Sequence, residues 1–184
     1  MNGDGSGKPK GIRQYTFTDD ASATWGTTPA SYEIGKIKSG VNGDLAAAPD
    51  GANRLSALLD SLKVPYRRNA TWMMSREMQG KLRGLQDSSG QYQFQTDLAS
   101  RDRNSLFGYP VVLAEDMPAA ATGVAGALFG DFSQTYSIVD RSEISVIRDV
   151  YSQPGLVKWY MRKRTGGALT NPEAIKVFTL EADV

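Results

Sequence analysis

The chain has 184 residues and a mass of 20.0 kDa, a size typical of one domain with its own apolar core. Its 21 basic and 20 acidic side chains give a net charge of +1, which excludes a protein that binds nucleic acid through a uniformly basic surface. The absence of His and Cys excludes disulfides, thiolate or imidazole metal ligands and Ser-His or Cys-His catalytic relays.

The first half of the chain predicts loops followed by two helices. Residues 1–50 are rich in Gly, Ser, Thr, Asp and Pro, with short strands predicted at 14–17 and 32–37. A helix of about 11 residues that ends before Pro65 is predicted by an i, i+3, i+4, i+7 pattern; the pattern is formed by Leu55, Leu58, Leu59 and Leu62. Residues 70–74 suit a buried strand, and Ser75 can cap a second helix. That helix would bury Met78, Leu82 and Leu85.

The second half predicts mainly strands. A turn at 87–90 precedes a strand that contains Tyr92 and Phe94, and further strands are predicted from Pro110 to Leu113 and at 125–129. Residues 135–139, 143–150, 156–164 and 174–180 complete the set, with Pro154 and Gly155 in a type II turn and Gly166-Gly167 ending the third of these strands. Helices come early and strands late, without βαβ alternation, which predicts an α+β fold.

The hairpin at residues 143–164 has two predicted faces. Val157, Trp159 and Met161 share one face of its second strand; the other face is basic and carries Lys158, Tyr160, Arg162 and Arg164. Glu143 and Asp149 on the first strand can pair with part of this charge. Two strands cannot bury an apolar face alone, so we expect a projecting arm that docks on protein rather than nucleic acid.

Other charged and glycine-rich motifs do not predict a catalytic site. Gly3 to Lys8 looks like a phosphate loop, but Pro9 follows, the spacing is wrong and no strand precedes it, so we interpret it as a loop. The carboxylate pairs Asp19-Asp20 and Glu115-Asp116 are interpreted as solvated charges, because adjacent residues do not form a site alone. We therefore predict no catalytic, metal-binding or cofactor-binding residues, and no bilayer-spanning segment.

Four stretches of the chain together resemble the tailed-bacteriophage major capsid proteins with the HK ninety-seven-like fold. The first is the glycine-rich segment at residues 3–12, and the second is the Ala-Thr-Trp-Met-Met strand at 70–74, followed by Leu82, Leu85, Asp87, Gly90 and Tyr92. The third is Leu-Phe-Gly-Tyr-Pro-Val-Val at 106–112, followed by Glu115 and Met117-Pro118. The fourth runs from Phe-Gly-Asp-Phe-Ser at 129–133 to Asn-Pro-Glu-Ala-Ile at 171–175.

This resemblance implies a domain organisation. It implies an axial domain with a central mixed sheet flanked by helices at residues 1–140, of which 1–50 form the glycine-rich loop region. It also implies a peripheral-domain β-hairpin arm at 141–167 and a strand at 168–184 that returns to the axial domain. Family members carry an N-terminal arm, an extended loop and a spine helix before the glycine-rich loop. The chain is thus expected to be a truncated, C-terminal portion that folds but stays a monomer or small oligomer.

The resemblance also implies a non-enzymatic function. The chain would be a major capsid subunit of a phage or prophage head that self-associates into pentamers and hexamers. The expected subunit interface comprises Val157, Lys158, Trp159, Tyr160, Met161, Arg162 and Arg164. The partners would be copies of the chain, with only indirect contact to enclosed DNA and no membrane, cofactor or small-molecule substrate. The protein would be made in the bacterial cytoplasm and reside in the virion.

Three alternative functions remain open at this point. One is an encapsulin-like compartment shell, which shares the fold. The second is a small carboxylate-dependent hydrolase, which needs carboxylates converging in a cleft. The third is a nucleic-acid-binding module that uses the basic strip at residues 158–164.

Overall fold

The structure is a computed structural model that describes residues 3–19, 25–45, 50–86, 89–92 and 105–183. The predicted turn at 87–90 and the predicted strand with Tyr92 and Phe94 lie partly outside these ranges, as does Asp20 of the first carboxylate pair.

An eight-stranded mixed sheet forms the body of the molecule. Its strands are β1 (Thr16–Thr18), β2 (Glu33–Val41), β3 (Asp44–Leu45), β4 (Thr71–Met74), β5 (Ser105–Leu106), β6 (Tyr109–Leu113), β7 (Ala125–Gly130) and β10 (Ile175–Ala182). They lie in the order β1-β2-β10-β7-β4-β6-β5, and β3 pairs with β2. The last strand of the chain, β10, lies between β2, which it pairs with in parallel, and β7, to which it is antiparallel. The predicted α+β class is confirmed.

Short helices complete the body, and the two longest follow the sequence patterns closely. The helices are α1 (Asp50–Ser61), α2 (Val64–Arg67), α3 (Arg76–Arg83) and α4 (Phe132–Thr135), with 3-10 turns at Ile12–Gln14, Pro29–Ser31 and Pro172–Ala174. Ser75 caps α3 as predicted, because its hydroxyl accepts the Met78 N–H at 3.3 Å. Pro65 follows α1 and also lies in the first turn of α2. A backbone N–H at this position has no partner within a helix, so the N–H that proline lacks is not missed there.

Side chains alternate between the two faces along each strand, and other elements cover both faces of the central strands β4, β7 and β10. On one face, α1 and α3 cover Trp72, Phe129 and Phe178. On the other face, the N-terminal segment with Ile12 and Tyr15 lies over a second core; that core contains Ile34, Leu128, Leu169, Ile175 and Val177.

A separate two-stranded antiparallel sheet makes up the arm, which we define as β8 (Tyr136–Asp149), the turn at 150–157 and β9 (Lys158–Leu169). Almost every residue of both strands is exposed between residues 137 and 166. The Trp159 side chain is 58% exposed and lies outside the body core, as predicted.

Several predicted strand boundaries are wrong in the arm and near it. Gly166-Gly167 does not end β9, which continues to Leu169. The strands predicted at 135–139 and 143–150 are one strand, because two register shifts, between Asp140 and Ser142 and between Ser142 and Ser145, absorb the irregular residues. Thr135 ends α4 instead of starting a strand, and β6 begins at Tyr109, one residue before Pro110.

A candidate interface on the two-stranded arm

The base of the arm is fixed to the N-terminal segment by two tyrosine hydroxyls. The Tyr136 hydroxyl donates to the Lys10 carbonyl at 2.9 Å, and the Tyr15 hydroxyl accepts the Leu169 N–H at 3.0 Å. The Tyr136 ring lies directly on Gly167, where an added Cβ would be 2.6 Å from its hydroxyl oxygen. Burial raises the pKa of Tyr136, and the neighbouring Tyr15 adds to this effect. The phenol is therefore held in its neutral, hydrogen-bond-donating form.

The tip of the arm is ordered by local hydrogen bonds. The Asp149 carboxylate accepts the N–H groups of Tyr151, at 2.9 Å, and Ser152, at 3.1 Å, and also the Ser152 hydroxyl. These hydrogen bonds, the one from the Ser152 hydroxyl first, lower the pKa of Asp149. The predicted type II turn is confirmed, since the Leu156 N–H donates to Gln153 and Gly155 has a φ of +84°. The Tyr151 side chain, 92% exposed, therefore projects from a tip whose backbone is ordered by hydrogen bonds.

The strand register shows which side chains share a face. Directly opposed residues lie on the same face, so the pairs Val146–Met161 and Arg148–Trp159 form one face of the outer arm. Met161 is 71% exposed, and the Arg148 guanidinium lies 5.8 Å from the Trp159 ring centroid. This face is apolar as predicted, but β8 adds a cation to it.

The opposite face is less purely basic than the sequence analysis predicts. It carries Lys158, Tyr160 and Arg162 from β9, but β8 places Ile147 directly opposite Tyr160. Both of these side chains are exposed, so the arm presents apolar surface on both sides. Val157, predicted on the first face, precedes β9 and belongs to the exposed tip.

β8 contributes apolar side chains to the arm surface that were not among the predicted interface residues. Ile144, Val146 and Ile147 are all exposed large apolar residues. The signal that could have found them is the run of Ile and Val at residues 144–147 on a strand predicted to pair with β9, because both strands of a hairpin contribute side chains to each of its faces.

Charge pairing across the hairpin involves a different carboxylate from the predicted ones. Asp149 lies opposite Lys158 in the register, but its carboxylate binds the tip N–H groups described above. The ion pair on the arm joins Asp140 to Lys163, with 2.9 Å between the carboxylate oxygen and Nζ. The expected pairing by Glu143 and Asp149 is therefore replaced by pairing at the inner end of the arm.

A groove of about 740 Å³ lies between the glycine-rich loop and the inner part of the arm. Lys8 of the loop lines it together with Arg141, Lys163 and Arg164 of the arm, and its lining includes no carboxylate. Arg164, predicted to belong to the interface face, thus lines this groove. A cleft with this lining does not match the paired carboxylates that a hydrolase needs.

The other candidate motifs are not assembled into a site. Asp19 forms ion pairs with Lys36 and Lys38, at 2.9 and 3.2 Å, and these hydrogen bonds lower its pKa. Within the described ranges, no group of three His, Cys, Asp or Glu residues could hold a metal ion. Residues 5–9 form a loop between the bridged residues Asp4 and Lys10, so the segment from Gly3 to Lys8 is not the strand-to-helix connection of a phosphate loop. In the described part of the chain, no helix is both long and apolar enough to cross a bilayer.

Comparison with known proteins identifies relatives over nearly the whole chain. The model of the phage capsid family matches residues 1–180. A capsid chain of an empty GTA particle, computed with C5 symmetry, is 33% identical with a TM-score of 0.81, and the alignment covers 99% of this chain. The corresponding chain of the native GTA particle is also 33% identical over 99% of this chain, with a TM-score of 0.82. This chain spans 60% and 59% of the lengths of those two chains.

A more distant likeness concerns the fold alone. A chain from Gordonia phage Cozz has a TM-score of 0.53 at 16% identity, over 90% of this chain and 56% of that one. None of the curated proteins compared with the chain matches it.

Proposed function

Because the chain belongs to the phage capsid family and has the HK ninety-seven-like fold, we propose that it is a structural subunit of a phage or prophage head shell. Its work would be self-association into pentamers and hexamers, in which many modest contacts close a symmetric lattice. The likeness to two GTA capsid chains in particles computed with C5 symmetry supports this proposal.

The proposal assigns residues 1–140 and 168–184 to an axial domain and 141–167 to a peripheral-domain arm. Two observations support these boundaries: β8 and β9 share no hydrogen-bonded strand pairing with the body sheet in the described residues, and β10 lies near the middle of that sheet. The first residues of β8 and the last of β9 would then be the connection between the two domains.

The observation that carries the proposed function is the uncovered apolar surface of the arm. Within one copy, nothing among the described residues buries Trp159, Met161 or Val146. Contiguous apolar surface of this kind is a mark of a protein interface. We assign the interface to the arm residues predicted from the sequence, with Val146 and Ile147 of β8 added: Val157, Lys158, Trp159, Tyr160, Met161, Arg162 and Arg164.

The partners under this proposal are other copies of the chain. Contact with enclosed DNA would be indirect, and neither a membrane, a cofactor nor a small-molecule substrate takes part. The protein would reside in the virion after synthesis in the bacterial cytoplasm. The family match and the capsid neighbours support a phage shell over an encapsulin-like compartment, and the cation-lined groove offers no support for a carboxylate-dependent hydrolase.

The proposal is tested by the self-association of the purified chain. Sedimentation velocity over a range of concentrations should show reversible small oligomers, and Trp159→Ala should weaken their association by about 2 kcal/mol or more, as expected for a buried aromatic anchor. The matched control is Trp25→Ala, which removes a similarly half-exposed tryptophan, 51% exposed, from outside the arm.

Two outcomes would contradict the proposed function. The exposed apolar surface of the arm narrows the expected monomer or small oligomer to a small oligomer, so one such outcome is a chain that stays monomeric at every soluble concentration. The other is an equal loss of association in the Trp25→Ala and Trp159→Ala variants, since the arm would then have no special role.

A further inference from the structure

Charge is distributed unevenly between the arm and the rest of the chain. β8 and β9 carry six basic and three acidic side chains, and the turn between them carries none, so the arm has a net charge of +3. The remaining residues carry fifteen basic and seventeen acidic side chains, a net charge of −2. The net charge of the chain is therefore the sum of a cationic arm and an anionic body. Surfaces of opposite charge attract each other, so the arm of one copy is attracted to the body of another.

The positive charge is concentrated in the groove at the inner part of the arm. Lys163 there is paired with Asp140, whereas no ion pair joins Lys8, Arg141 or Arg164 to any carboxylate of the described residues. Arg141 lies at the register shift between Asp140 and Ser142, so no residue of β9 is opposed to it. A concave surface with three uncompensated cations is suited to an anionic partner.

The body presents an acidic corner that this groove does not contact within one copy. The Met117 N–H donates to the Ala114 carbonyl at 3.0 Å, which closes a turn with Glu115 and Asp116 at its two central positions. Arg13 stabilises this turn, because its Nη1 donates a hydrogen bond to the Asp116 carbonyl at 2.8 Å. Both acidic residues are exposed, and neither lines the groove. The corner is thus a pair of exposed carboxylates on a turn whose backbone is held by hydrogen bonds.

We propose that the groove lined by Lys8, Arg141 and Arg164 receives the Glu115-Asp116 corner of a second copy of the chain. This inference rests on the proposed self-association and names the surfaces that meet. The contact is heterologous, since the groove and the corner are different patches, and such contacts generate rings when the rotation between copies closes. An adjacent pair of carboxylates can engage two guanidinium groups, and each ionised hydrogen bond is stronger than a neutral one. A duplex nucleic acid is the less favourable occupant, because the anionic body repels phosphate.

The inference is tested by charge reversal and charge exchange in the full chain. Arg141→Glu with Arg164→Glu should weaken self-association at least about tenfold, and Glu115→Lys with Asp116→Lys should do the same. All four changes together leave the net charge unaltered and should restore association to within about threefold of the unmodified chain, because the two surfaces have exchanged sign. The matched control is Arg68→Glu with Arg76→Glu, which makes the same charge change at two exposed positions outside the arm.

Each outcome of this experiment decides the inference. Restoration in the four-residue variant supports it, whereas persistent loss, or an equal loss in the Arg68 and Arg76 control, overturns it. Unaltered association after reversal of Arg141 and Arg164, with association still sensitive to Trp159→Ala, overturns the inference alone and leaves the proposed function intact. Absence of association in the unmodified chain overturns both. Fluorescence anisotropy with a short DNA duplex tests the alternative occupant. If the chain binds the duplex, loses this binding when Arg141 and Arg164 are reversed, and keeps its self-association, the groove is a nucleic-acid site and the inference is overturned.

Discussion

Two antiparallel strand pairs in this molecule, β7 with β10 and β8 with β9, have the same hydrogen-bonding chemistry and opposite surroundings. Every residue of β7 and the first six of β10 are buried, because α1 and α3 cover one face and the N-terminal segment covers the other. The residues of β8 and β9 are mostly exposed, although both strands are rich in apolar side chains. Strand pairing alone therefore does not decide burial; the elements packed against a pair decide it.

The largest effect is expected where the body core loses an aromatic side chain. Trp72 is fully buried and its ring centroid lies 4.5 Å from that of Phe129. Trp72→Ala should lower the free energy of unfolding by about 3–5 kcal/mol, measured by urea denaturation, because it leaves a cavity in the core. Trp159→Ala, the same change on the arm, should alter this free energy by no more than about 0.5 kcal/mol.

A second variant of Trp72 separates the cavity from the loss of the indole N–H. The Trp72 Nε1 has no hydrogen-bond partner in the described residues, so Trp72→Phe should cost far less than Trp72→Ala. If Trp159→Ala destabilised the chain as much as Trp72→Ala, the contrast between the two strand pairs would be wrong.

An intermediate effect is expected at the junction of the arm and the body. Gly167→Ala places a Cβ 2.6 Å from the Tyr136 hydroxyl oxygen, so the ring must shift and its hydrogen bond to Lys10 is lost. We expect a loss of about 1–3 kcal/mol in the free energy of unfolding. Gly166→Ala is the matched control, since the nearest atom to its Cβ would be the Val139 carbonyl oxygen at 3.8 Å. Equal effects of the two variants would show that the Tyr136 contact has no part in holding the arm.

The smallest effect is expected at the tip. Asp149→Asn removes the charge that binds the N–H groups of Tyr151 and Ser152, so their amide hydrogen exchange should accelerate severalfold while the body is unchanged. Because the pKa of Asp149 is lowered in the folded arm, its contribution is complete above the ordinary carboxyl range, near pH 4, and is lost as pH falls below it. In the unmodified chain these two amides should therefore keep their protection down to pH 4 and lose it at lower pH. Protection that is the same in the Asn variant at neutral pH would contradict this role of Asp149.

Local patterns in the sequence predict much of the body. The leucine spacing at residues 55–62 and the serine before α3 give these helices nearly at their observed bounds, because one buried face and one capping side chain are local properties. The turn at Pro154 and Gly155 is predicted for the same reason, since each residue supplies the backbone angle that the turn requires.

The arm is predicted less completely because its details depend on contacts between distant residues. Gly166-Gly167 reads as a strand end by local propensity, but Gly167 is needed in β9 because Tyr136 packs on it. Likewise, the inner groove combines Lys8 with Arg141 and Arg164, which lie more than a hundred residues later in the chain. Only the fold brings these cations together, so charge patterns along the sequence do not reveal them.

The two tyrosine hydroxyls at the arm base have a mechanical consequence. The 14 residues of β8, at about 3.3 Å each, give the arm a contour length of about 45 Å from an attachment only two strands wide. The tip, with Tyr151, lies at the far end of this length, so a small rotation of the strands at the base displaces the tip more than it displaces the base. The short N-terminal segment, which carries the Tyr15 hydroxyl and the Lys10 carbonyl, therefore helps to set the direction in which the arm projects from the body.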